Sequence, residues 1–413
     1  MTRPALLSLD DALPPLLAQA QALPRLETVS TFDADGRVLA FDVIAALQVP
    51  PQDNSAMDGY AVRTADCGQG GAVLRVTQRI PAGTHGTQLN VGEAARIFTG
   101  APIPPGADAV VMQEDCETLV GDQIKVNKSV PEAQWIRRSG EDVTRGATVL
   151  TQGTRLTPAE LGLAASIGLA QLQVSARPRV ALFSTGDELV MPGDVAPEAM
   201  AAGAIYNSNR FFLRAMLKRL GCEVTDLGIV PDKREDTLVA LGEAARNHDL
   251  ILTSGGVSVG EEDHIKPAVQ SLGELNLWQL AIKPGKPFAY GKVNRGGPGD
   301  ACHFMGLPGN PVSSFVTFLL LVRPFLLALQ GATQTDMPRT AITAHFDWPR
   351  ADKRREFLRV QRNAQGGLDL FPNQSSGVLT SVVWGDGVVD NPAGQTIAKG
   401  DTVRYISFAE WLA

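Results

Sequence analysis

Leu250-Ile251-Leu252-Thr253-Ser254-Gly255-Gly256-Val257-Ser258-Val259-Gly260-Glu261-Glu262-Asp263-His264 is the stretch on which the reading of this chain turns. It opens as an apolar run short enough for a buried strand, passes into small residues and reaches three consecutive carboxylates. Its glycines and serines let the backbone fold tightly and aim N–H groups at one point, as a phosphate or other anion requires. The acids that follow can hold a divalent cation against that anion. A strand followed by an ordinary glycine-rich surface turn explains the same residues. The Walker A lysine and its following Ser/Thr are absent, so this is not a P-loop.

Outward from this stretch, strand and helix patterns alternate. Arg179–Phe183 reads as a strand leading into Ser184-Thr185-Gly186-Asp187-Glu188. Ser208–Leu220 reads as a helix with Phe212, Met216 and Leu220 on one stripe and Gly221 as its stop. Cys222–Ile229 is the next strand, and Asp232 with Glu235 has capping-box spacing for a helix Lys233–Asn247. Beyond the glycine loop, His264–Ser271 is helical and Leu275–Ile282 a strand that ends in Lys283-Pro284-Gly285-Lys286-Pro287. A last strand, Cys302–Met305, runs into Gly306-Leu307-Pro308-Gly309-Asn310-Pro311, with Asn310 as N-cap and Pro311 as first residue of a long apolar helix.

This alternation predicts a doubly wound, mainly parallel α/β sheet over 178–329, whose ligands bind beyond the carboxyl ends of the strands. Glu188, Asp232, Asp263, Lys283, Lys286 and the Asn310 helix start all fall in loops leaving those ends. That convergence favours an active site over a surface turn.

The flanks have a different texture. Residues 1–50 read as a short helix with Pro14 and Pro15 in its first turn, then an extended segment around Arg37–Val49. Residues 51–142 alternate short apolar runs with Gly/Pro turns and read as a β-rich module. It contains Asp58-Gly59, for which an ordinary turn is an equal reading, and a proline-stiffened loop around Thr99. Arg137 and Arg138 near Glu141 and Asp142 read first as a solvated ion-pair loop. Thr157-Pro158-Ala159-Glu160 is a helix start with a capping box. The stretch 143–177 therefore pairs with 1–50 as a discontinuous N-terminal domain around the β module. Residues 330–413 read as a small β barrel or sandwich, in which Ser375-Ser376-Gly377 is a polar turn able to reach a ligand.

At 413 residues the chain is too long for one core. A 44% hydrophobic and 20% charged composition describes a globular protein, and a net charge of −7 without a basic block argues against a nucleic-acid partner. Four scattered cysteines without a C-x-x-C pair fit a reducing cytoplasm and offer no zinc framework. The start, with its acids and prolines, is unlike a signal peptide. The apolar run Val312–Leu329 carries Ser313, Ser314, Thr317 and Arg323-Pro324 and reads as a buried helix, not a membrane span.

Seven ordered motifs carry a resemblance. They are Ser55-Ala56-Met57-Asp58-Gly59-Tyr60-Ala61, Thr99-Gly100-Ala101-Pro102, Gly140-Glu141-Asp142, Ser184-Thr185-Gly186-Asp187-Glu188, Ser254-Gly255-Gly256-Val257-Ser258-Val259-Gly260, Lys283-Pro284-Gly285-Lys286-Pro287 and Leu307-Pro308-Gly309-Asn310-Pro311. Together they resemble the MoeA family of molybdopterin molybdenumtransferases, which includes the E domain of gephyrin. The resemblance spans nearly the whole chain. It implies four-domain subunits with an α/β domain of molybdopterin-binding type, paired in a cytoplasmic homodimer. The implied reaction transfers molybdate to the dithiolene of adenylylated molybdopterin, with Mg²⁺ and release of AMP. Glu188, Asp232 and Asp263 would be substrate-side acids and metal ligands. Lys283 is a motif lysine. Asp58, Thr99, Arg137 and Asp142 would approach from the partner subunit. The loops through Ser184, Thr185, Gly186, Ser254, Gly255, Gly256, Val257, Ser258, Pro308, Gly309 and Asn310 would grip the substrate, with Lys286 and Ser376. The chain departs from the family at Gln279, where its enzymes often carry a lysine. Adenylylation of molybdopterin by ATP, or a scaffold that only binds cofactor, are the alternatives. The molybdopterin adenylyltransferase is a candidate partner.

Overall fold

The computed structural model describes residues 6–412 apart from 232, 257–263 and 298. Its organising layer is a six-stranded sheet. The strands are β1 (Arg179–Thr185), β2 (Glu223–Val230), β3 (Leu250–Ser254), β4 (Gly273–Gln279), β5 (Pro287–Asn294) and β6 (Ala301–Leu307), in the order β2-β1-β3-β6-β5-β4. β1 pairs in parallel with both β2 and β3, and β3 with β6. β5 is antiparallel to both β6 and β4, so it alone runs against the rest of this sheet. The expected mainly parallel sheet is present. Its direction of winding reverses at β1, leaving a crevice between the carboxyl ends of β1 and β3.

Helices cover both faces because β1, β3 and β6 are apolar on both, as buried parallel strands are. One face packs on α1 (Leu9–Leu17), α3 (Ser208–Arg219) and the long apolar helix, through Leu213, Met216, Leu217, Phe315, Leu319 and Phe325. The other packs on α4 (Arg234–Asn247) and α5 (Ile265–Leu272), through Leu241, Ala245, Ile265 and Val269. The apolar helix is almost wholly buried, as a core helix and not a lipid-facing one. It comprises α6 (Pro311–Thr317), a π-helical turn over Phe318–Val322 and α7 (Arg323–Leu329). Pro324 lacks the N–H that α-helical pairing would need, which accounts for the altered turn before it.

Around this layer, residues from both ends of the N-terminal part build one core. Leu26–Ser30 pairs with Gln171–Ser175 and Val43–Ile44 with Thr148–Leu150, burying Leu39 and Val43 beside Leu156, Ala164 and Val174. The helix α2 (Pro158–Ser166) starts with the full capping box of Thr157 and Glu160. Between these halves, residues 59–126 form a separate six-stranded sheet. Gly59 is required there, because a Cβ would stand 1.9 Å from Val111 O on the neighbouring strand. At the other end, Arg355–Arg362, Gly387–Asn391, Thr402–Ser407 and Thr340–Thr343 pair in that order. Leu368–Leu370 pairs with Arg355–Arg362, and a bridge from Leu368 to Ala344 draws the sheet into a ring.

Four local expectations need correction. Pro14 and Pro15 lie in the second turn of α1, because the Ser8 hydroxyl caps the helix by accepting Asp11 N–H at 3.0 Å. The strand expected over Leu275–Ile282 is two strands, since β4 ends at Gln279 and Ile282–Lys283 joins the C-terminal sheet beside Arg355–Glu356. β5 went unassigned because it begins on a proline and contains Gly291, where a Cβ would meet Glu274 O at 2.3 Å. The Asp232–Glu235 box is not used, because the cap position of α4 falls on Lys233, without a side-chain cap. Asp232 itself lies outside the described residues.

Candidate active site

Three loops build the crevice at the carboxyl rim. β1 ends on the buried pair Ser184-Thr185, and the chain turns at Gly186 with φ +143°. A Cβ on Gly186 would stand 2.5 Å from the Glu188 carboxylate, so the bare backbone lets that acid fold back over the turn. β3 ends on Ser254, after which Gly255 and Gly256 take φ values of +94° and +66° that favour glycine. A Cβ on Gly255 would come within 2.8 Å of Thr185 O, so the first two loops are in backbone contact. The third loop follows β6. Leu307 O accepts Gly255 N–H at 3.1 Å, and a Cβ on Gly309 would lie 4.0 Å from Gly255 Cα.

Asn209, in the first turn of α3, joins the second and third loops. Its side-chain amide donates to Ser254 Oγ and to Gly309 O, both at 2.7 Å. The cleft so enclosed is about 530 Å³ and is lined by Ser184, Thr185, Glu188, Leu189, Ile205–Asn209, Ser254, Gly255, Gly309–Pro311 and Gly377. Ser184 Oγ and Asn207 Nδ2 are buried there with no hydrogen-bond partner among the described residues. Orphaned polar atoms cost free energy and point to a ligand that satisfies them. A slightly larger hollow of about 620 Å³ lies away from the sheet between Thr31-Phe32 and Leu161–Ala170, without a charged side chain in its wall.

Among the sequence-predicted residues, Ser184, Thr185, Glu188, Ser254, Gly255, Gly309 and Asn310 line this cleft together, with Gly186 and Gly256 in the same turns. Pro308 lies in the third loop between Leu307 and Gly309. Asp263, Val257, Ser258 and Asp232 lie outside the described residues. Asn310 stands at the cap position of α6, but its side chain makes no cap bond. Val312 N–H instead donates to Ser376 O at 3.0 Å, so Ser376 closes the helix start with its backbone carbonyl.

Lys283 is not brought to the cleft. Its ammonium is 3.0 Å from Glu356 Oε1 and 3.4 Å from Asp352 Oδ2, and lies over the Trp348 ring. The buried Glu356 also accepts Trp348 Nε1–H at 2.7 Å. Lys286 is exposed two residues beyond Pro284 and does not line the cleft.

Asp58 and Thr99 flank strands of the inserted sheet, Arg137 lies in a separate two-residue strand and Asp142 in the loop after it, and none lines the cleft. Asp58 Oδ1 accepts the Thr99 amide at 2.8 Å and its hydroxyl at 3.0 Å, which holds the carboxyl below its usual range. Arg96 braces this pair by donating to Gly59 O at 2.8 Å and stacking over Phe98. Arg137 pairs through its backbone with Asn54, and Asp142 N–H donates to Val49 O; both side chains are exposed.

Sequence reasoning missed Asn207 and Asn209. The available signal was Tyr206-Asn207-Ser208-Asn209, a polar cluster at the start of an amphipathic helix that follows a rim loop.

Comparison with known proteins places this geometry. Residues 7–168 match the model of the MoeA N-terminal region (domain I and II), 181–328 the probable molybdopterin binding domain, and 341–408 the MoeA C-terminal region (domain IV). The molybdopterin molybdenumtransferase of Haemophilus influenzae is 40% identical over 368 residues, covering 88% of this chain and 89% of that protein. The chain belongs to the MoeA family.

Another MoeA relative, molybdopterin molybdenumtransferase 2 of Mycobacterium tuberculosis, is 38% identical over 391 residues, covering 91% of this chain and 93% of its own. The crystal structure of the molybdopterin biosynthesis MoeA protein from Pyrococcus horikoshii superposes with a TM-score of 0.84 at 29% identity, covering 98% and 100% of the two chains. In this MoeA chain Gln279 ends β4 opposite Pro287, and its carbonyl accepts Leu7 N–H at 2.8 Å.

Proposed function

We infer that this chain is a molybdopterin molybdenumtransferase, a transferase of molybdenum cofactor biosynthesis. The observation that carries this reading is the cleft at the sheet's switch point, lined by the positive-φ Gly255 and by buried donors without partners among the described residues. The substrates are adenylylated molybdopterin and molybdate, and AMP is released. Ser184, Thr185, Ser254, Gly255, Gly256, Gly309 and Asn310 bind and orient the first substrate. Val257 and Ser258, which continue the second loop, belong to the same grip.

The described lining offers carboxylate, hydroxyl and amide oxygens and no cysteine or histidine, a donor set that suits a hard cation such as Mg²⁺. Glu188, with Asp232 and Asp263, would hold it. When bound, the cation neutralises the pyrophosphate and polarises the bond to the departing AMP. Glu188 and the two further acids would also relay protons to the departing oxygens, which must be protonated to leave.

Asp58, Thr99, Arg137 and Asp142 approach the cleft of a second copy of the chain, in a homodimer. That proposal is supported by the absence of all four from the lining of this chain's own cleft. Lys283 and Lys286 serve molybdate indirectly, Lys283 by holding the C-terminal sheet against the α/β layer. A cytoplasmic location and hand-over from a molybdopterin adenylyltransferase complete the reading. We also propose four structural units over 1–50 with 143–177, 51–142, 178–329 and 330–413. Separate cores built from 29–50 with 143–174 and from 60–130 support this; the core of the third also contains Leu9, Ala12 and Leu16 of the first and Phe357, Ile406 and Trp411 of the fourth.

The test is to incubate the purified protein with adenylylated molybdopterin, molybdate and Mg²⁺, and to measure AMP and active cofactor. Both should appear, and chelation should abolish them. AMP transfer from ATP to molybdopterin would indicate the adenylyltransferase instead. Binding with no AMP release would indicate a scaffold.

A further inference from the structure

The cleft has one wall that the phosphate-binding loops do not explain. Ile205 is half exposed and, with Leu189 and the Tyr206 ring, makes an apolar surface facing the rim. The Tyr206 hydroxyl is turned away and donates to Val195 O at 2.7 Å, so the ring itself is what this side offers. Beside it Asn207 is 2% exposed. Its orientation is fixed by chemistry: Oδ1 accepts Arg210 N–H at 3.2 Å as the cap of α3, so the NH₂ group is the part without a partner among the described residues. Ser184, 1% exposed, presents a hydroxyl likewise unpartnered among the described residues in the same cleft. Both groups are neutral. The described lining contains the Glu188 carboxylate and no lysine or arginine. Away from a cation held by Glu188, a bare phosphate would meet a like charge here.

We propose that Asn207 and Ser184, against the Ile205–Tyr206 wall, read the edge of a flat nitrogen heterocycle. The Asn207 amide donates to a ring nitrogen or carbonyl acceptor. The Ser184 hydroxyl takes the neighbouring position, as donor or acceptor. Apolar ring faces and a polar edge match this combination of one greasy wall and two neutral, directional groups. The substrate of the proposed reaction has two such edges, the pterin and the adenine, and the choice between them is the only point at which this inference rests on the transferase reading.

Binding of 6-hydroxymethylpterin, AMP and inorganic pyrophosphate is measured separately, by pterin fluorescence and by calorimetry. The variants are Asn207→Asp, which keeps the α3 cap but replaces the donor by an acceptor, and Ser184→Ala. At least one heterocycle should bind at least tenfold more weakly to Asn207→Asp and several-fold more weakly to Ser184→Ala, with pyrophosphate unchanged. Loss confined to 6-hydroxymethylpterin assigns the pterin; loss confined to AMP assigns the adenine. Unaltered binding of both heterocycles, or weakening of pyrophosphate alone, overturns the proposal. Wild-type molybdenum transfer, run in parallel, separates the two readings. Transfer with heterocycle binding insensitive to Asn207 removes this inference and keeps the function. Sensitive binding without transfer does the reverse.

Discussion

The rim cleft and the Lys283 cluster both gather polar side chains between loops, yet their hydrogen bonding is opposite. Around Lys283 every group has a partner. Glu356 accepts from Lys283 and from Trp348, and Asp352 is held by Arg354 in two bonds of 3.1 and 2.9 Å. In the cleft, Ser184 Oγ and Asn207 Nδ2 have none among the described residues, and the positive-φ turns keep Cβ atoms out. Saturated polar groups fasten two parts of a chain together, whereas unsaturated ones in a preformed hollow await a ligand.

The largest effect that would break this contrast belongs to the fastener. Glu356→Ala leaves the Lys283 ammonium and the Trp348 N–H without their buried partner, and should cost about 3 kcal/mol in denaturant unfolding. A loss below 1 kcal/mol would mean that Lys283 is not a clamp. Asn209→Ala comes next. It removes two bonds of 2.7 Å and should cost about 2 kcal/mol. It should also raise KM for adenylylated molybdopterin, since Ser254 and Gly309 lose their common tie. An unchanged KM would show that the loops hold their places unaided. A substitution outside both regions sets the scale: Thr157→Ala loses only a helix cap, about 1 kcal/mol, with kinetics unchanged.

The smallest effect at neutral pH concerns His303, packed between Tyr290 and Phe325 with Nδ1 at 3.0 Å from the Tyr290 hydroxyl. Burial lowers its pKa from 6.5 to about 4, and the nearby Lys292 and Arg295 add to this. The folded pKa lies below the unfolded one. Its contribution is therefore complete above pH 6.5 and is lost as pH falls towards 4. Titration of the ring by NMR should place the midpoint near 4, and a midpoint near 6.5 would show an open, hydrated site.

Local chemistry was legible in the sequence; long-range pairing was not. Thr157 and Glu160 cap their helix as their spacing predicts, and the apolar run at Leu250 is a central strand. The rim residues Ser184, Glu188, Ser254 and Gly309 could be named because each sits at or just past the end of a strand whose pattern is clear. The contacts of Lys283 could not, since Glu356 lies 73 residues away in sequence, on the strand that pairs with Ile282–Lys283. A lysine in a glycine-proline loop looks the same in sequence whether it faces an anion or a buried acid. Asn207 escaped for a related reason. Its side chain does an ordinary capping job through one atom, and only coordinates reveal that the other is idle.

The carbonyl of Ser376 on the first free amide of the apolar helix has a consequence for anyone dissecting this chain. Cutting away everything after residue 330 would unplug that helix end and strip Phe357, Ile406 and Trp411 from the surface it leans on. The piece left behind would keep its glycine loops but lose the buttress that sets their spacing. The tail is thus a fourth side of the cleft, through Gly377, although it adds no acid to the described lining.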